Sequence, residues 1–99
     1  MITKNQILEQ LKNKKSFLQK EYGISKLGIY GSYARDEAKK NSDIDIFYER
    51  DASVKVSGFD LLRIPDMIEN DLHIKVDFVD LKYMNPIVKH YAQKDFIYV

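Results

Sequence analysis

Two apolar runs in this chain are separated by a short polar segment with a restrictive pattern. Leu27-Gly28-Ile29-Tyr30 ends at Gly31-Ser32, and after ten further residues Asp43-Ile44-Asp45 opens the second run. Ile44, Ile46 and Tyr48 alternate with Asp43, Asp45 and Phe47. That period of two predicts a strand over Asp43–Glu49. On a strand, Asp43 and Asp45 share one face, and two unpaired carboxylates so close repel each other, more so when buried. A cation between them removes the conflict. Hard oxygen ligands suit Mg²⁺, which is usually held by a few carboxylates and substrate phosphate oxygens. Upstream, Gly31 and Ser32 can offer backbone N–H groups and a hydroxyl to a phosphate. A short helix predicted over Tyr33–Ala38 follows them, and the free N–H groups of a helix N-terminus favour phosphate.

A third carboxylate extends the pattern. Ile74-Lys75-Val76-Asp77-Phe78-Val79 alternates as a strand with Asp77 opposite Val76 and Phe78. If that strand neighbours the Asp43–Glu49 strand, parallel or antiparallel, Asp77 stands beside Asp43 and Asp45. Three convergent acids suit a two-metal phosphoryl or nucleotidyl transfer site. Asp77 can then ligate one ion and accept the proton of an attacking hydroxyl. Asp80 is the competing acid and falls at or beyond the strand end.

Together, Gly31-Ser32, Asp43-x-Asp45 and Val76-Asp77-Phe78-Val79 resemble the minimal nucleotidyltransferases of the DNA polymerase β-like superfamily, from about Leu27 to about Val79. The resemblance implies an α+β fold of the polymerase β palm type, a short mixed sheet flanked by helices. It implies transfer of a nucleoside monophosphate from a nucleoside triphosphate to a hydroxyl. Gly31 and Ser32 grip the triphosphate in that reading, and Asp43, Asp45 and Asp77 hold two Mg²⁺ ions. Asp36 departs from the family, many of whose members have glycine after the arginine; it is expected in the short helix, where it can alter charge near the triphosphate.

The length of 99 residues predicts one domain with a modest core. With 16 basic and 15 acidic residues there is no global basic field to hold nucleic acid or an anionic membrane. Without cysteine there is no disulfide framework, thiolate zinc site or thiol nucleophile. No apolar run approaches a membrane span, and the N-terminus does not read as a signal peptide. A cytoplasmic location is expected.

Along the chain, Thr3-x-x-Gln6 predicts a capping box opening a helix through about Tyr22, with Gly23 as its stop. Lys12, Lys14 and Lys15 read as that helix's solvated face. Lys26–Tyr30 is expected as the first strand and Arg50–Ser57 as loop. A third helix is predicted from about Phe59 to Asn70, either beginning near Pro65 or kinked there. His73–Val79 is expected as a strand. Asn85-Pro86 predicts a last helix with Ile87, Val88, Tyr91 and Ala92 as its apolar positions. Phe96–Val99 is a terminal strand or docked tail.

Arg35 admits two roles: neutralising triphosphate charge, or pairing with Asp36, Glu37 or a strand carboxylate. His73 and His90 lack metal-ligand spacing. Tyr30 and Tyr48 read as strand residues with hydroxyls reaching solvent. The resemblance further implies ATP as donor, release of pyrophosphate, and a HEPN-domain ribonuclease toxin as partner. The chain is expected to act as its antitoxin by adenylylating a tyrosine, in a hetero-oligomer with the toxin. Two other classes compete: a non-catalytic module that masks its partner, and a small-molecule transferase of the antibiotic-modifying kind. Three clustered acids have no use in the first, and the second usually needs a further domain or a dimer.

Overall fold

Helix α1 (Lys4–Tyr22) starts at the predicted capping box. The Gln6 N–H donates to Thr3 Oγ1 at 3.2 Å, and the Thr3 N–H donates to Gln6 Oε1 at 2.8 Å. It stops at Gly23, whose φ of 72° is left-handed and lets its N–H reach back to the carbonyls of Gln19 and Leu18. The computed structural model describes residues 1–99.

The chain continues through β1 (Ile24–Tyr30), α2 (Gly31–Ala34), β2 (Ile44–Arg50), α3 (Gly58–Leu61) and α4 (Arg63–Leu72). It ends through β3 (Val76–Asp80), α5 (Pro86–Ala92) and β4 (Ile97–Tyr98). The strands form one mixed sheet in the order β3-β2-β1-β4. β1 is antiparallel to both β2 and β4, whereas β2 and β3 run parallel. The expected short mixed sheet with flanking helices is therefore the observed α+β architecture.

The two sheet faces bury different things. On one, Leu27 and Ile29 of β1 and Ile44 and Ile46 of β2 pack with Ile7, Leu11 and Leu18 of α1 and Ile64, Ile68 and Leu72 of α4. The first seven of these and the two α4 isoleucines are at most 1% exposed. Fully burying each Leu or Ile contributes roughly 1.5–3 kcal/mol, so this layer carries the fold. The other face is smaller and aromatic. Phe47 stacks on Phe96 with ring centroids 4.2 Å apart and meets the edge of Tyr98 at 5.0 Å. Leu81, Met84, Tyr30 and Val79 complete that cluster. Period two puts Asp45 on the Phe47 side and Asp77 on the Val79 side, so both acids lie on this aromatic face.

Several boundaries differ from expectation. The second helix is the four residues Gly31–Ala34, not Tyr33–Ala38. The third splits into α3 and α4, with Pro65 in the first turn of α4, where its missing N–H costs nothing. His73 does not begin a strand; it caps α4 at φ 57°, its N–H donating to the Glu69 carbonyl at 2.7 Å. Lys14 and Lys15 are half-buried rather than solvated: Lys14 pairs with Asp71 at 2.6 Å and Lys15 donates to the Val99 carbonyl oxygen at 2.7 Å. No helix is long and apolar enough to cross a membrane.

Candidate active site

The parallel register of β2 and β3 sets Asp45 directly opposite Asp77. Adjacent strands lie about 4.8 Å apart, so the two carboxylates emerge side by side from one sheet face. Two anchors fix the start of β3, one to α4 and one to β2. The Val76 N–H donates to Glu69 Oε1 at 2.9 Å, and the Ile44 N–H donates to the Lys75 carbonyl at 2.9 Å. Asp43 sits in the loop just before β2 and is exposed.

Asp45 is the most confined of the three. Burial raises its carboxyl above the ordinary 3.8, the negative charges of Asp77 and Asp43 raise it further, and Arg35 partly offsets them. None of the chain's ion pairs engages Asp43, Asp45 or Asp77. No set of three acids or histidines closes around a common point as a preformed metal cage. The group is thus an open row of oxygen donors whose mutual repulsion Arg35 only partly offsets. Such a row fits Mg²⁺, which keeps several waters and takes few carboxylates.

On β1, Tyr30 lies opposite Asp45 in the antiparallel register. The expectation that its hydroxyl simply reaches solvent is incomplete. Tyr30 is half-buried, and desolvation together with the charges of Asp45 and Asp77 pushes it up to about 12. It stays a neutral phenol beside the acids at neutral pH. Tyr48 lies on the opposite face and is 9% exposed.

Gly31 follows Tyr30 with φ 74° and opens α2. A Cβ built there would overlap Asp45 Oδ2. The turn and the acid therefore touch, and only glycine fits both the backbone angle and the space. Ser32 comes next, in the first turn of α2, where main-chain N–H groups have no partner within the helix.

Gly31, Ser32, Asp45, Tyr30 and Arg35 line one side of a cleft of about 620 Å³. Ile87, Val88 and Tyr91 of α5 line the other side. A second cavity of about 650 Å³, lined by Tyr48, Arg50, Asp80 and Lys82 among others, lies at the far ends of β2 and β3 and contains none of the three acids. The Arg50 guanidinium there is already committed to the carbonyls of Tyr22 and Val54.

Arg35 lies just beyond α2 and bonds Glu37 Oε2 at 3.0 Å and Asp95 Oδ2 at 3.1 Å. Of its two expected roles it fills the structural one, through Glu37 and the unforeseen Asp95, while still bordering the cleft. Asp36 is not helical. It takes φ 59°, the left-handed region that glycine favours, and pairs with Lys4 at 2.8 Å. Asp80 closes β3 and accepts the Lys82 N–H at 2.9 Å. Sequence reasoning missed three contributors: Tyr30 as a neighbour of the acids, Asp95 as the partner of Arg35, and α5 as a cleft wall.

A family model, "Nucleotidyltransferase domain", matches residues 8–99. A Methanocaldococcus jannaschii protein named "Putative protein adenylyltransferase MJ1379" is 37% identical over 100% of both chains. A solved structure described as a "putative minimal nucleotidyltransferase" superposes with TM-score 0.80 at 21% identity, covering 97% of this chain and 95% of the other. A chain from a complex of tri-AMPylated Shewanella oneidensis HEPN toxin with MNT antitoxin superposes with TM-score 0.62 at 17% identity, covering 92% and 70%. Those two likenesses bear on fold, and the match over residues 8–99 bears on family. The chain belongs to the nucleotidyltransferase domain family.

Proposed function

We propose that this enzyme is a Mg²⁺-dependent protein adenylyltransferase, active in the cytoplasm as a single domain. It transfers AMP from ATP to a tyrosine hydroxyl of a HEPN-domain toxin and so acts as that toxin's antitoxin. The observation that carries the reading is the contact of the Gly31 turn with Asp45, itself paired in register with Asp77. The proposed triphosphate grip thereby meets Asp45 in one cleft, with Asp77 beside Asp45 on the next strand. The relatives' names support AMP as the transferred group and a HEPN toxin as acceptor.

In this reading the main-chain N–H groups at Gly31 and Ser32, with the Ser32 hydroxyl, hold the triphosphate. Asp43, Asp45 and Asp77 would hold Mg²⁺, which supplies neutralising charge to the attacking and leaving oxygens. Asp77, the more exposed of the strand acids, takes the proton of the acceptor hydroxyl. The acceptor oxygen bonds to the α-phosphorus, the bond to the β-phosphate oxygen breaks, and pyrophosphate leaves. Tyr30, kept protonated, is a poor competing nucleophile and packs beneath the acids.

The test incubates the purified chain with α-labelled ATP, Mg²⁺ and a purified HEPN-domain protein, and reads the mass of both proteins. Growth of the HEPN protein by whole AMP units, abolished by omitting Mg²⁺, is expected. Label on small hydroxyl compounds alone would point to the antibiotic-modifying class. Tight binding of the HEPN protein with no label on it would point to a masking module.

A further inference from the structure

Helix α5 does little for the fold. None of its residues is buried, and its apolar side chains face outward: Ile87 is 70% exposed, Val88 51% and Tyr91 67%. Tyr83, which ends the Leu81–Tyr83 turn before α5, is 77% exposed. Ile87 and Tyr91 are four residues apart and share a helix face, while Tyr83 precedes the helix across the non-helical Met84 and Asn85. A helix of seven residues has little stability of its own. This one is held by its ends: Asn85 Oδ1 accepts the N–H groups of Ile87 and Val88, and Pro86 sets the first turn.

Charge follows the same segment. Leu81–Lys94 contains Lys82, Lys89 and Lys94 and neither Asp nor Glu, in a chain otherwise rich in both. The flanking acids are occupied, Asp80 by the Lys82 N–H and Asp95 by Arg35. The surface is therefore apolar where α5 borders the cleft, with Lys94 on that side and Lys82 and Lys89 on the side of the far cavity. Its position decides what can cover it. Ile87, Val88 and Tyr91 face the Gly31–Ser32 turn and Asp45 across one cleft. A polypeptide that brings a hydroxyl to that cleft from the α5 side lies against these side chains.

We propose that Tyr83 and α5 form the docking ridge for the protein acceptor, and that the acceptor segment is apolar with acidic flanks around its target hydroxyl. The inference rests on the adenylyltransferase reading above and adds to it the surface and the chemistry of the substrate. Complementary charge raises the encounter rate and suppresses wrong partners more than it adds affinity, so its signature is selectivity among acceptors.

The test compares two synthetic tyrosine peptides, one with Leu beside the tyrosine and Glu on both flanks, the other with each Glu replaced by Lys. AMP transfer from ATP is read by mass, and ATP affinity is measured separately for every variant. The wild-type chain should modify the acidic peptide about tenfold faster or more, as expected for steering by a few charges. Lys82→Glu combined with Lys89→Glu should reverse the preference and leave ATP affinity and melting temperature unchanged. Ile87→Asp should lose transfer to the acidic peptide without loss of fold, because the side chain is outside the core. Equal wild-type rates on both peptides, or a charge-reversed variant that keeps the acidic preference, overturn the ridge and leave the transferase reading standing. Loss of ATP affinity in Ile87→Asp would make α5 a wall for the nucleotide base and equally overturn it. Transfer to neither peptide ends the ridge; transfer to neither peptide nor a HEPN protein ends both readings.

Discussion

The α-carbon of Gly31 lies against the carboxylate of Asp45, with no room between them for a side chain. The residue that bends the chain and the most confined of the three acids are thus one packing unit. Gly31→Ala should fail twice. The left-handed φ of 74° costs a non-glycine residue about 1–2 kcal/mol, and the new methyl group must displace the Asp45 carboxylate that it would overlap. Gly31→Val should be worse. Ser32→Ala removes one hydroxyl contact worth on the order of 1 kcal/mol and spares the turn. Melting temperature and steady-state transfer on the three variants give the ranking. A Gly31→Ala enzyme as active as Ser32→Ala would dissociate the turn from the acid.

Asp45 also sets a pH dependence. Its folded-state value lies above the ordinary 3.8, so the folded protein holds the proton more tightly than the unfolded chain. Stability from this group is full below 3.8 and is lost as pH rises through the raised folded value. In metal-free buffer at pH 7, Asp45→Asn should therefore melt higher than wild type, and the gap should close as the pH falls below 4, about the ordinary Asp value. Added Mg²⁺ should raise the melting temperature of wild type and not of the variant. A variant that melts lower than wild type at every pH would mean that the carboxylate supports the fold rather than strains it.

Asp36 is a test of backbone rather than charge. Its φ of 59° favours glycine, yet its carboxylate pairs with Lys4 at 2.8 Å while 69% exposed. Such a surface pair contributes about 0–1 kcal/mol. Asp36→Gly loses the pair, relieves the backbone and gains unfolded-state freedom, so these terms nearly cancel and stability should move by no more than about 0.5 kcal/mol. Asp36→Val loses the pair and keeps a branched residue in the left-handed region, a loss of roughly 1–2 kcal/mol. Urea titration of both variants separates the cases, and a harmless valine would exclude the left-handed turn.

Local chemistry was readable wherever it is decided locally. Thr3 with Gln6, Gly23, and Asn85 before Pro86 each fix a helix end through bonds a few residues long. The Asp43–Tyr48 alternation marks a strand because one face must be buried. His73 misleads for the opposite reason: its place in an alternating run resembles a strand, and the bond to Glu69 that makes it a cap is a property of the helix before it. Arg35 and Asp95 meet across 60 residues, and no periodicity reports that. The apolar positions of α5 carry a core-facing pattern, yet none of them is buried. The acids were legible as types and spacing, while the parallel register that aligns Asp45 with Asp77 belongs to the assembled sheet.

Asp77 and its neighbour Asp80 give the most direct test of that register. Asp77 pairs with Asp45, faces the cleft side of the sheet and is exposed. Asp80 is three residues on, so the pleat turns it to the other face, where it lines the far cavity and caps the Leu81–Tyr83 turn. Asp77→Asn should leave ATP binding largely in place, because Gly31, Ser32, Asp43 and Asp45 remain. Turnover should fall steeply, since loss of a general base typically costs about 10²–10⁴-fold and a displaced metal adds to it. Asp80→Asn should keep turnover and lose only a fraction of stability, as one oxygen that accepts the Lys82 N–H is retained. Glu69→Ala offers an independent check. It removes the carboxylate that holds the Val76 N–H and loosens β3 next to Asp77 without touching the cleft. Its transfer rate should fall less than that of Asp77→Asn, with ATP affinity unchanged. Single-turnover transfer and nucleotide affinity, measured together on all three, decide the matter: a dead Asp80→Asn beside an active Asp77→Asn would place the opposite face of β3 toward the chemistry.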